Sequence, residues 1–230
     1  MSGERIISLK QAAKRIVNTL TFADRVAIVT FASEAKTVAL NNKYLFPATD
    51  ENKETLLAAI YEIQVSGSTN FLDAFEKTFQ ILEDSYQQEF NVFCSGGVSG
   101  NTAILFLTDG VATSPESLSE EQRDEATVAL VQDGLTRLET QLGRAPYLFT
   151  YSVSDRADAA AVGAFPKRLA CETTTNGVWS QISESRQILD ALSSYYRVFT
   201  LGLSEGNNAD FTAWVEVRSC CNRDRIGEGG

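Results

Sequence analysis

A three-layer α/β architecture, with a mainly parallel central sheet covered by helices on both faces, is the fold class this 230-residue sequence predicts. Three observations predict it. Strand-like apolar runs such as AILFLT (103–108) and YLFTYSV (147–153) alternate with segments whose apolar residues recur at steps of three and four. The strand-like runs are nearly continuous in apolar residues, as in strands buried on both faces. At 43% hydrophobic, a chain of this length can fill a core between such layers.

The elements follow in order. Ile6, Leu9, Ala13, Ile16, Val17 and Leu20 form one face of an amphipathic helix. DRVAIVTFAS (24–33) reads as a strand buried on both faces, with a shorter extended piece at 37–40 beside it. Thr49 is a good N-cap for the next helix, with Asp50 and Glu51 near the positive end of its dipole; Leu56, Leu57, Ile60 and Ile63 form its stripe, and it ends near Gln64. VSGSTN (65–70) is a loop, and Phe71, Leu72, Phe75, Phe79 and Leu82 mark another helix, their aromatic rings expected in packing. The glycine-serine connection CSGGVSGN (94–101) leads into AILFLT.

Beyond that strand, Ser114-Pro115-Glu116 and the box Ser117-x-x-Glu120 signal a helix start, and Val128, Leu130, Val131, Leu135, Leu138 and Leu142 carry the helix to a stop at Gly143. After YLFTYSV come a short alanine-rich helix expected to break near Pro166, a strand over 178–182 and a helix over 188–199. From residue 204 the pattern fades, so 204–230 reads as a linker or the start of a further region, partly disordered.

Charge and composition exclude several functions. A net charge of −10 argues against nucleic acid, whose binding draws on Lys and Arg, and suits a cationic partner or a divalent metal. There is no histidine, which removes Ser-His-Asp, Cys-His and zincin-type chemistry. The four cysteines, Cys94, Cys171, Cys220 and Cys221, show no C-x-x-C spacing. No apolar run approaches the roughly 20 residues that span a bilayer, and the charged start MSGERIISLK lacks a signal-peptide pattern.

In a parallel α/β sheet, ligands meet the loops at the carboxyl ends of the strands, and the carboxylate of Asp109 follows such an end. A threonine hydroxyl from SGSTN, Thr69, and this aspartate are the oxygen donors that a hard divalent cation takes. Taken alone, Asp109-Gly110 also reads as a turn signal and Ser68-Thr69 as a cap for the next helix.

The order of four motifs adds a resemblance. MSGERI before the first helix, RVAIVTFAS as an early strand, GSTN before a helix and ILFLTDG as a later strand resemble, in that order, the von Willebrand factor A family over residues 1–203. The resemblance implies a Rossmann-like fold and a metal-ion-dependent adhesion site built from a D-x-S-x-S loop, a threonine and an aspartate. Thr69 matches the threonine and Asp109 the aspartate. Met1 to Arg5 look like the residues just after D-x-S-x-S, so the resemblance implies that the first strand and its ligands lie upstream; Ser2 is not a substitute ligand. On that reading residues 1–203 form the domain without its first strand, of low stability and with weak Mg²⁺ or Ca²⁺ binding.

Within the family, KRLACETTTNGVWSQISESRQILDALSSYY (167–196) is similar to the closing segment in alpha-2-delta subunits of voltage-gated calcium channels, and FTAWVEV (211–217) looks like a lead-in to a Cache region. That likeness implies the extracellular face of a membrane. Cys171, in the matching segment, and Cys94, in the flexible connection, are then candidates for a disulfide; for Cys171 the alternative is a small buried residue.

The function these features imply is a non-enzymatic adhesion-type module whose metal accepts a carboxylate from a protein partner, in the channel setting a pore subunit. Two alternatives stand beside it: a structural domain with an incomplete metal site, and a Mg²⁺-dependent phosphoryl-transfer enzyme using Asp109. The enzyme reading lacks both a P-loop and the second aspartate of a D-x-D pattern.

Overall fold

The computed structural model describes residues 4–22, 24–38, 43–64, 67–92, 102–153 and 159–182. They form two compact units, one from the described residues up to 92 with Val111–Gly134, the other from residues 102–110 with those from Leu135 onward.

The first unit opens with helix α1 (Glu4–Thr19). Two short strands follow, β1 (Arg25–Val26) and β2 (Val29–Phe31), then β3 (Ala35–Thr37), β4 (Phe46–Pro47), helix α2 (Asp50–Glu62) and helix α3 (Phe71–Val92). Val17 of α1 packs with Leu56 and Ile60 of α2, ringed by Ala13, Val26, Ile28, Leu57 and Ile63. Phe71, Phe75 and Phe79 recur every fourth residue on α3, so all three fall on one buried face. Phe71 meets Phe31 edge-on with ring centroids 5.8 Å apart, tying α3 to β2. Helix α4 (Glu120–Leu142) contributes its first part, down to Gly134, to this unit. A Cβ at Gly134 would lie within 2.6 Å of the Phe79 ring, so only glycine admits that ring against α4.

The second unit is a parallel three-stranded sheet in the order β5 (Ala103–Thr108), β6 (Tyr147–Val153), β7 (Gly177–Ile182). Its register runs from Ala103 opposite Tyr147 to Thr108 opposite Ser152, and Val153 stands opposite Ile182. β6 is buried from Leu148 to Val153, as expected of a central strand with both faces covered. Helix α5 (Ala159–Thr173) lies against β7 so closely that a Cβ at Gly177 would fall 1.7 Å from the Ala170 carbonyl oxygen. The carboxyl ends of the three strands share one edge, and Asp109 follows β5 there.

Several local expectations hold. Thr49 caps α2, its hydroxyl accepting from the Asn52 amide at 3.3 Å. Gly143 ends α4 in the left-handed region at φ 71°, its amide donating to the Glu139 carbonyl at 2.8 Å. Others are corrected. The run 24–33 is two short, half-buried strands rather than one buried strand: β1 pairs antiparallel with β4, and β2 with β3 in a tight hairpin. An apolar run signals burial but does not encode its pairing partners. The α4 start lies two residues later than the Ser117 box: Ser119 accepts from the Gln122 amide at 3.2 Å, and the Ser119 amide donates to Gln122 Oε1 at 2.9 Å. Helix α5 continues through Pro166. There the Thr150 hydroxyl of β6 donates to the Pro166 carbonyl at 2.7 Å, tying the helix to the sheet at the proline. The helix expected over 188–199 and the segment 204–230 lie outside the described residues.

Candidate metal-binding loops

The GSTN loop has one structural task for each residue. Gly67 stands at φ 82°, a backbone conformation that favours glycine, and a Cβ there would also push Ser33 Oγ, 2.6 Å away, out of its place. Ser68 Oγ donates to Ser33 Oγ at 3.2 Å. The Asn70 amide donates to the Ala32 carbonyl at 2.9 Å, while its side-chain oxygen accepts from the Asp73 amide at 3.2 Å. Asn70 is therefore the N-cap of α3. That corrects the bland sequence alternative in which Ser68-Thr69 caps this helix. Asp73, in the first turn, accepts from the Ala35 amide across the loop.

Thr69 is held from the opposite direction. Its amide donates to Thr113 Oγ1 at 2.8 Å, and its carbonyl accepts from the Thr113 and Ser114 amides at 2.9 and 3.0 Å. Both backbone polar groups of Thr69 are thus committed, and the hydroxyl takes none of these bonds. With Asn70 fixed to the β2–β3 turn, Thr69 is pinned on both sides within the first unit.

The 112–118 segment is itself secured by Arg123 in the first turn of α4. The guanidinium donates from Nε to the Ala112 carbonyl at 2.9 Å and from Nη1 to the Pro115 carbonyl at 3.2 Å, and it also reaches the Leu118 carbonyl.

Asp109 belongs to the second unit, half-buried just past β5. The turn after it is pinned by Thr108 Oγ1, which accepts from the Gly110 amide at 3.3 Å. A Cβ at Gly110 would meet nothing within 4 Å, so the glycine of TDG is not required by space. Among the described residues, no group of three or more Asp, Glu, His or Cys is gathered. The donors offered by Thr69 and Asp109 are both oxygens, which fits the chemistry of Mg²⁺ or Ca²⁺ in kind.

Sequence reasoning singled out Thr69 and Asp109 but missed Thr113, Asn70 and Arg123. Asn70 was findable, since Asn immediately before an apolar-periodic run is a capping signal. Cys171 is half-buried on α5, whereas Cys94 lies outside the described residues, so their pairing does too. No described helix is long and apolar enough to cross a membrane.

Comparisons with known proteins bear on the same loops. Residues 1–111 match the family model described as von Willebrand factor type A domain, a span that includes GSTN and TDG. Inter-alpha-trypsin inhibitor heavy chain H4 from Bos taurus is 32% identical over 117 residues, covering 51% of this chain and 12% of that protein. The Homo sapiens protein of the same name is 31% identical over 128 residues, covering 54% of this chain and 13% of the human one. The chain thus spans only a small part of the length of these relatives. A solved structure, von Willebrand factor type A from Catenulispora acidiphila, superposes with a TM-score of 0.56 at 14% identity, covering 83% of this chain and 37% of that one. Residues 1–111 therefore carry the sequence pattern of a von Willebrand factor type A domain, and the chain has the α/β fold of that family.

Proposed function

We propose that this chain is a non-enzymatic, divalent-cation-dependent protein-binding module in which Thr69 and Asp109 are the metal-ligand residues. The observation that carries the reading is the double anchoring of Thr69: Asn70 fixed to Ala32 on one side, Thr113 and Ser114 bonded to Thr69 itself on the other. A hydroxyl whose backbone is immobilised in this way is ready to meet a cation without further ordering cost. When bound, Mg²⁺ or Ca²⁺ supplies a positive charge with open coordination positions, and an acidic side chain of a protein partner is the natural occupant. With only two protein side chains proposed as ligands, the expected affinity is weak, with a dissociation constant on the order of 1 mM.

The setting is proposed from resemblance. The likeness of residues 167–196 to alpha-2-delta subunits suggests the extracellular face of a membrane and a channel pore subunit as partner. The relatives found by comparison are inter-alpha-trypsin inhibitor heavy chains, so the channel setting rests on that segment alone.

One observation favours a second reading, a structural domain with an inactive metal site: no acidic cluster is gathered among the described residues. Amide chemical shifts of the ¹⁵N-labelled chain decide between the two. Titration with MgCl₂ is expected to move the Thr69 and Asp109 signals, and acetate, standing in for the partner's carboxylate, to move them further only when Mg²⁺ is present. Shifts from acetate that are equal with Mg²⁺ and with EDTA would remove the carboxylate-bridging proposal, and a spectrum unmoved by either would leave the structural domain.

A further inference from the structure

We infer that Arg123 is the positioning residue that sets Thr69 and, through it, the cation affinity of the site; the second half of this inference rests on the function proposed above. Three facts converge on it. Arg123 donates to the carbonyls of Ala112 and Pro115, which lie immediately on either side of Thr113 and Ser114. Thr113 and Ser114 are the residues that grip Thr69, through both of their amides and the Thr113 hydroxyl. A third carbonyl, that of Leu118, accepts from the same guanidinium and ties the segment down to the capped start of α4 at Ser119.

The residue type and its position add to the geometry. Arg123 occupies the first turn of α4, where the positive end of the helix dipole disfavours a cation. A cation kept there is explained by its carbonyl acceptors. Three carbonyls at 112, 115 and 118 need donors spread in a plane, which a guanidinium has and a lysine ammonium, a compact point charge, has not. The resulting order of control runs from α4, through the 112–118 segment, to the residue proposed to hold the metal.

The test is made on the full chain with Arg123→Ala, Arg123→Lys and the wild type, reading amide hydrogen exchange at Thr69, Thr113 and Ser114 against Leu56 and Ile60 of the α1–α2 core. Arg123→Ala should speed exchange at the three loop amides about tenfold with the core amides unmoved. Arg123→Lys, which keeps the charge and the stem, is the variant to use if the alanine chain does not fold, and should also speed loop exchange. Methylguanidinium at millimolar concentration should slow the loop amides of Arg123→Ala again, a rescue that a general loss of stability does not produce. The Mg²⁺ dissociation constant should rise about tenfold in Arg123→Ala. Loop exchange unchanged in both variants overturns the inference, as does Mg²⁺ affinity equal to wild type where Thr69→Ala abolishes it. A wild type that takes up no Mg²⁺ rejects the proposed function instead, and the exchange pattern then decides the role of Arg123 by itself.

Discussion

Thr69 and Thr113, 44 positions apart in the chain, hold each other reciprocally: the Thr69 amide donates to Thr113 Oγ1 at 2.8 Å, and the Thr113 amide returns to the Thr69 carbonyl at 2.9 Å. The pairing uses one side-chain and three main-chain groups, which makes the Thr113 hydroxyl a separable part of it. Thr113→Val keeps the shape and removes only that acceptor, so it should lower stability by about 1 kcal/mol and loosen the Thr69 amide. Thr113→Ser should restore both. Urea unfolding with hydrogen exchange at Thr69 checks the pair.

Two glycines give opposite expectations. Gly177→Ala places a Cβ 1.7 Å from the Ala170 carbonyl oxygen, where two backbones meet and neither can yield cheaply. A loss of about 3 kcal/mol or more, or failure to fold, is expected. Gly110→Ala, with nothing within 4 Å of the new carbon, should stay within about 0.5 kcal/mol of wild type. Thermal melts of the two variants side by side measure the contrast.

Stability should also fall at alkaline pH through Tyr147. Burial raises the pKa of this phenol from its ordinary value of 10.0, with the nearby Arg144 charge pulling in the opposite direction. Below pH 10 the phenol is neutral in both folded and unfolded chains and its full contribution is present. Above that, the unfolded chain ionises first, so stability is lost as pH rises toward and through the folded-state value. Tyr147→Phe, which cannot ionise, should flatten the fall of stability as pH rises above 10.0 in urea titrations.

How much of this was legible in the sequence depended on how local the determining physics is. The Thr49 cap, the Gly143 stop and the 147–153 strand were readable because each is set by residues within a turn or by burial on both faces. The pairing of Val26 with Phe46 was not, because it forms through the tertiary fold, whereas the local hairpin that sets Val29 opposite Thr37 agrees with an extended piece beside the run. Pro166 was misjudged because the helix around it is held against the sheet, with Thr150 of β6 bonded to the Pro166 carbonyl, a tertiary contact that a local helix-breaking rule does not include. In the loops, Thr69 and Asp109 stood out because their residue types suit metal chemistry. Arg123 did not, because its acceptors are main-chain carbonyls, which every residue carries and no motif marks.

The most direct measurement for the central claim is calorimetric titration of Mg²⁺ into the wild-type chain, Thr69→Ala and Asp109→Ala, each first shown to melt like wild type. Weak saturable heat is expected for the wild type and is expected to disappear in both variants. Heats that are the same in all three proteins, whether present or absent, would contradict that claim.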